Sequence, residues 1–141
     1  EYEYIFIDCP PGFGLININA LNASNKIIIP LQCEFYALEG LAQLFNTIQS
    51  VRNTINRDLI ISGILLTMYD RRNSLSSIVA EDVRNHFKNL VFTTVIPRNV
   101  RISEASSHGK PVIIYDVKSA GSISYIELAR EFLGRELKDE Q

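Results

Sequence analysis

The chain has 141 residues, 46% hydrophobic content and 21% charged residues, and Lys+Arg 14 against Asp+Glu 16 gives a net charge of −2. That is ordinary globular composition with enough length for one core. It contains no run near the roughly 18 apolar residues of a membrane span, too few cysteines for a disulfide-stapled mini-protein and too little Gly and Pro for a collagen-like or disordered chain. A globally basic nucleic-acid binder is excluded by charge, though a local basic patch is not.

Five apolar, β-branched runs predict strands, at residues 4–8, 26–31, 60–68, 91–96 and 112–115. They are continuous and not alternating, as strands buried on both faces of a parallel sheet are. Helical patterns lie between them. A short one runs from about residue 15 to 23. Residues 37–54 place Leu38, Leu41, Leu44, Phe45, Ile48 and Val51 on one face. Residues 75–87 do the same with Leu75, Ile78, Val79, Val83 and Phe87, and residues 119–138 with Ile123, Ile126, Ala129, Leu133 and Leu137. Strands alternating with helices predict a parallel α/β layer fold. No linker or repeat divides the chain, so residues 1–141 read as one unit, with 135–141 expected to fray as a tail of mixed charge.

In open parallel sheets, ligands bind beyond the carboxyl ends of the strands. The first such place is Ile5-Phe6-Ile7-Asp8-Cys9-Pro10-Pro11-Gly12. A carboxylate at a strand end suits a hard cation such as Mg²⁺, as in phosphate-loop nucleotide hydrolases. The stiff Pro pair limits the states of the following loop. Taken alone, the stretch also fits an Asp that caps a strand and opens a turn. The second place is Ile96-Pro97-Arg98-Asn99-Val100-Arg101, where Asn99 offers the donor and acceptor that adenine needs and the arginines suit phosphate. From spacing alone, an exposed charged loop is the better reading. The third, Met68-Tyr69-Asp70-Arg71-Arg72-Asn73, puts two cations side by side, which in most proteins are simply solvated. His86 and His108 lack metal-ligand spacing, and Cys9 and Cys33 form no Cys-x-x-Cys. No Gly-x-Ser-x-Gly elbow and no Gly-x-x-x-x-Gly-Lys-[Ser/Thr] loop occurs, so this chain by itself is not expected to bind ATP tightly.

Longer blocks carry a resemblance. They are Tyr4-Ile5-Phe6-Ile7-Asp8-Cys9-Pro10-Pro11, Asn19-Ala20-Leu21, the run from Ile29-Pro30-Leu31-Gln32-Cys33-Glu34 to Leu41, Gly63-Ile64-Leu65-Leu66-Thr67-Met68-Tyr69-Asp70, the run from Val95 to Ala105, and Ser107-His108-Gly109-Lys110-Pro111-Val112. In order and spacing, from about residue 2 to residue 133, the sequence resembles the carboxyl-terminal part of the ParA/Soj-like chromosome- and plasmid-partitioning ATPases. This is the deviant-Walker-A branch that includes MinD.

The resemblance implies a P-loop-type three-layer α/β/α fold with a mostly parallel sheet, here incomplete: a partial domain without its amino-terminal strands and phosphate loop. It implies that Asp8 stands near Mg²⁺, through water. Pro10, Pro11 and Gly12 would form switch II. Thr67, Met68, Pro97 and Asn99 would lie on the adenine side. Gln32, Glu34 and the helix from Ala37 would help shape an ATP-bound homodimer. Arg72 and Arg101 would contact DNA without sequence preference, through phosphate neutralisation. It further implies ATP and Mg²⁺ as cofactors, a ParB/Spo0J-like stimulating partner, a cytoplasmic, nucleoid-associated location and no membrane. Gly12-Phe13 replaces the usual Ser-Leu, and Ser106 stands where Pro is common. The glycine-rich loop, its lysines and the switch I aspartate are missing, so the fragment alone is expected to be inactive. A sheet edge or face is expected to be exposed where the other half would lie.

Two rivals remain at this level. A MinD-like membrane-cycling ATPase would need a basic amphipathic end, whereas Arg130, Arg135 and Lys138 here face Glu127, Glu131, Glu136, Asp139 and Glu140. A nucleotide-independent DNA-binding α/β module would use Arg72 and Arg101 alone. A phosphoacceptor role for Asp8 is disfavoured by the Pro pair and the lack of a neighbouring acidic pair.

Overall fold

The computed structural model describes residues 2–12 and 14–139. Phe13 and the last two tail residues lie outside the described residues. The elements run α1 (Leu15–Ala23), β1 (Lys26–Gln32), α2 (Ala37–Thr54), β2 (Ile60–Thr67), α3 (Ser74–Phe87), a 3₁₀ turn (Lys88–Leu90), α4 (Val100–Ser107), α5 (Val112–Tyr115) and α6 (Ala120–Asp139).

Strands β1 and β2 are parallel and paired from Lys26 opposite Ile60 to Gln32 opposite Thr67, with a register shift between Ile27 and Ile28. Successive strand residues point to opposite faces, and both faces are apolar here. Ile29, Leu31, Ile64 and Leu66 meet Leu41, Ile48 and Val51 of α2 and Val79, Ala80 and Val83 of α3. On the other face, Leu65 and Ile28 meet Phe92, Ile96, Ile102 of α4, and Leu128 and Phe132 of α6. The result is the expected three-layer α/β/α arrangement about a parallel sheet. Each fully buried Leu or Ile contributes about 1.5–3 kcal/mol of transfer free energy.

Three expected strands differ from the structure. Residues 4–8 form no strand, and no strand pairs with them among the described residues. Instead the rings of Tyr4 and Phe6 rest on Phe132 at 5.6 and 5.8 Å. Residues 91–96 form no named strand; they meet β2 at the isolated bridge of Val91 with Ile64 and through the Phe92 and Ile96 amides, and a second isolated bridge, Tyr69 with Pro97, lies just beyond. Residues 112–115 form a helix. Pro111 opens it, and its carbonyl accepts from the Ile114 and Tyr115 amides at 3.0 Å each. The buried Ser122 hydroxyl then donates to the carbonyl of Val112 at 2.8 Å. A four-residue apolar run has no periodicity to separate helix from strand; the Pro before it and the serine behind it decide for helix.

The last helix is fastened to the rest of the fold by its polar side chains. Helix α6 continues through residue 139. Glu136 pairs with Lys26 at 2.9 Å, and Arg135 reaches the carbonyl of Val91 at 2.8 Å. Among the described residues, no helix is long and apolar enough to cross a membrane.

Candidate functional site

The carboxyl ends of the strands converge. The Cys33 amide, just past β1, donates to the carbonyl of Thr67 at 3.2 Å. Past β2, Met68 turns the backbone into the left-handed region with φ 53°. That conformation is uncommon for a residue with a side chain and is found disproportionately at ligand sites. The next amide, Tyr69, donates to Ile96 at 3.1 Å, and the carbonyl of Tyr69 accepts from Arg98 at 3.0 Å. Thr67, Met68, Pro97 and Asn99 therefore come together at one end of the sheet, as their positions after strands predict. Glu34 joins them through an ion pair with Arg98 at 3.7 Å.

Asn99 has a second task. Its side-chain oxygen accepts from the Arg101 amide at 2.9 Å and caps α4, satisfying one of the amide groups a helix start leaves without a partner. Helix α4 ends at Ser107, and Gly109 just beyond it takes φ 62°, a left-handed conformation that a residue without Cβ adopts at no steric cost. The amides of Gly109 and Lys110 close back on Ser106 and Ala105 at 3.0 Å, a Schellman stop.

The loop at 10–12 is held from α1. The Asn17 side-chain amide donates to the carbonyl of Pro10 at 2.8 Å and to that of Gly12. Gly12 has φ 111°, a conformation open to glycine. Asn17 was not legible as a site residue, because its partners are backbone carbonyls. Asp8 precedes this loop, is exposed, and makes no hydrogen bond or ion pair among the described residues. No group of three or more His, Cys, Asp or Glu that could hold a metal occurs among the described residues. A lone exposed carboxylate still fits Mg²⁺. This ion keeps several waters and takes one or two carboxylates together with substrate phosphates.

Both arginines expected at DNA are paired with carboxylates, which sequence reasoning missed. Arg72 donates from Nε and Nη2 to the two oxygens of Asp70, at 3.1 and 3.0 Å. The Arg72 hydrogen bonds bring the Asp70 carboxyl down to about 2 and push the guanidinium upward. Arg101 meets Glu104 at 2.7 Å and Asp116 at 3.3 Å, and Glu104 above all raises its pKa. The spacing of Asp70 and Glu104, two and three residues from their arginines, was the available signal. Arg71 is exposed and makes no ion pair among the described residues. Cys33 is buried, and that burial pushes its thiol up, consistent with a packed, unreactive cysteine.

A family model for an AAA domain matches residues 1–61. The chain is 58% identical over 135 residues to the chromosome partitioning protein ParA of Caulobacter vibrioides, covering 96% of this chain and 51% of that protein. It is 57% identical over 131 residues to the sporulation initiation inhibitor protein Soj of Bacillus subtilis, covering 93% of this chain and 52% of that protein. The chain is a ParA/Soj homologue. It spans about half the length of these curated relatives. Solved structures agree on the ParA/Soj-like fold. Cobyrinic acid a,c-diamide synthase from Mycobacterium smegmatis, solved with a bound ATP analog and magnesium, superposes with a TM-score of 0.72 at 35% identity, covering 95% of this chain and 47% of that one. The cell division ATPase MinD of Pyrococcus furiosus gives a TM-score of 0.76 at 24% identity, covering 94% of this chain and 52% of that one, a likeness of fold.

Proposed function

We propose that this chain is the carboxyl-terminal half of a ParA/Soj-type ATPase that segregates chromosomes or plasmids. The observation that carries the reading is the convergence of Thr67, the left-handed Met68, Pro97 and Asn99 beyond the strand ends, in a chain 58% identical to a ParA. In this reading the segment 97–99 and Met68 meet the adenine. Asp8 holds the water shell of Mg²⁺, and the loop of Pro10, Pro11 and Gly12, clamped by Asn17, answers to the γ-phosphate. Mg²⁺ supplies neutralisation of phosphate charge. The phosphate loop comes from the other half of the protein.

The switch acts through differential binding: γ-phosphate contacts favour one state, and hydrolysis removes them. In the ATP state the protein forms a homodimer and binds nucleoid DNA without sequence preference, through Arg72 and Arg101. A ParB/Spo0J-like partner stimulates hydrolysis and release, all in the cytoplasm. Breaking the surface pairs of Arg72 and Arg101 costs little, since solvent and salt screen exposed ion pairs, so phosphates can displace the carboxylates.

The test is ATP turnover by the full-length protein containing this chain. Asp8→Ala is expected to abolish hydrolysis, and near-normal turnover would refute the Mg²⁺ role. Liposome flotation separates the MinD-like alternative, for which clear binding to anionic vesicles is required. A gel shift of the chain by itself separates the nucleotide-independent module, which requires ATP-independent DNA binding.

A further inference from the structure

Residues 91–97 lead into the segment 97–99, yet backbone bonds secure them on one side only. Toward β2, the Phe92 amide donates to Ile64 and the Ile96 amide to Leu66, each at 2.9 Å. On the other side no strand pairs with them among the described residues. The amides of Thr93 and Thr94 go instead to α6, where they donate to the two oxygens of Glu131 at 2.7 and 2.8 Å. Amide-to-carboxylate bonds of that length are the stronger, charge-assisted kind. Burial opposes charge on Glu131, but the Thr94 and Thr93 hydrogen bonds and Arg135 outweigh it and hold the carboxyl low.

Arg135 completes the fastening. It donates to Glu131 at 2.9 Å, to Val91 at 2.8 Å, to Asn89 at 3.3 Å and to Ser62 at 3.4 Å. Its guanidinium also lies 4.1 Å from the centroid of the buried Phe92 ring. One turn of α6 thus holds the start of the segment as a neighbouring strand would. From Thr94 to Pro97 the chain advances about 3.3 Å per residue if extended, which leaves little slack. A shift at the Glu131 end is therefore passed on to residues 97–99.

We infer that Glu131, held by Arg135, is a positioning residue for the segment 97–99 and thereby for discrimination of the base of a bound nucleotide. This rests on the proposed reading that this segment meets the adenine. Glu131 touches no reacting atom. It acts through the Thr93 and Thr94 amides, and its loss lets the segment pivot about the bonds at Ile96 and Tyr69. The triphosphate side is built from other elements and does not depend on it.

The experiment uses the full-length protein with Mg²⁺ and titrates ATP, GTP and inorganic triphosphate into wild type and Glu131→Gln, with Tm measured alongside. The amide keeps one acceptor and loses the charge and the second acceptor. Expected is a fall of about tenfold in the ATP-over-GTP preference, the scale of removing one hydrogen bond to a charged group, with triphosphate affinity within about twofold of wild type. Arg135→Lys keeps the charge but loses the planar fork; it is expected to move the preference the same way and carries the test if Glu131→Gln does not fold. An unchanged preference in a folded variant, with or without a lower Tm, would overturn the proposal and leave Glu131 a stabilising contact only. A wild type without any ATP preference would overturn the underlying reading, and the proposal with it.

Discussion

Arg72 lies on Asp70 in a two-pronged contact, although its side chain is 88% exposed. The pair makes DNA affinity a competition between one carboxylate and the phosphates. Asp70→Asn in the full-length protein is expected to tighten DNA binding, and Arg72→Glu or Arg101→Glu to weaken it about equally across sequences. Fluorescence anisotropy over a salt series checks this, with the log–log slope falling by about one for each phosphate-binding arginine removed. Weaker binding by Asp70→Asn would mean that the carboxylate aims the guanidinium and does not compete for it.

Acid acts on two carboxylates in the same direction. Asp70 and Glu131 both have pKa values below their ordinary range in the folded chain. Their stabilising effect is therefore complete above the ordinary carboxylate range and is lost as pH falls through the folded values, for Asp70 toward about 2. Asp70 is only half-buried and its partner Arg72 is exposed, so solvent and salt screen their share. Thermal melts between neutral and acid pH are expected to show a smaller acid-induced drop in Tm for Glu131→Gln than for wild type.

The loop at 10–12 depends on one amide side chain. Asn17→Ala removes both hydrogen bonds to the Pro10 and Gly12 carbonyls. In the full-length protein this variant is expected to lose turnover roughly tenfold, as misplacement of a positioning element does, with Tm little changed because the loop is exposed. Unaltered turnover would assign the loop's shape to the two prolines alone.

Two glycines separate packing from propensity. A Cβ on Gly63 would stand 2.5 Å from the Phe92 ring and 3.0 Å from the Leu90 carbonyl. Gly63→Ala is expected to destabilise by about 1–3 kcal/mol. Gly134 lies within α6 with nothing within 4 Å of its Cβ direction, so Gly134→Ala is expected to stabilise by about 0.5–1 kcal/mol. Denaturant melts of the two variants check the contrast.

Helices α2 and α3 and the paired strands β1 and β2 were legible because burial repeats along them, whereas α6 was legible as a helix but not in its face: Ile123, Ala129, Leu133 and Leu137 are exposed, and Leu128 and Phe132 pack on the core instead. Residues 112–115 were not legible, since four apolar residues carry no period and Pro111 and Ser122 settle the matter from outside the run. The meeting of Thr67, Met68, Pro97 and Asn99 followed from the rule that sites form beyond strand ends. The left-handed turn at Met68 had no signal in a residue that seldom adopts it. Asn17, Glu131 and Arg135 were hidden for a different reason. Each bonds backbone atoms, whose identity no side chain announces, and the Arg135-to-Ser62 contact joins positions 73 residues apart.

Residues 4–8 have a practical corollary. No strand pairs with them among the described residues, and Ile5 and Ile7 stand outward, Ile5 at 84% exposure. An unpaired, apolar stretch of this kind recruits whichever extended chain comes alongside. At high concentration, the 141-residue chain by itself is expected to scatter light and grow in size as molecules stitch together through this seam. The same stickiness makes the seam the first place to put a charge when a well-behaved sample is wanted.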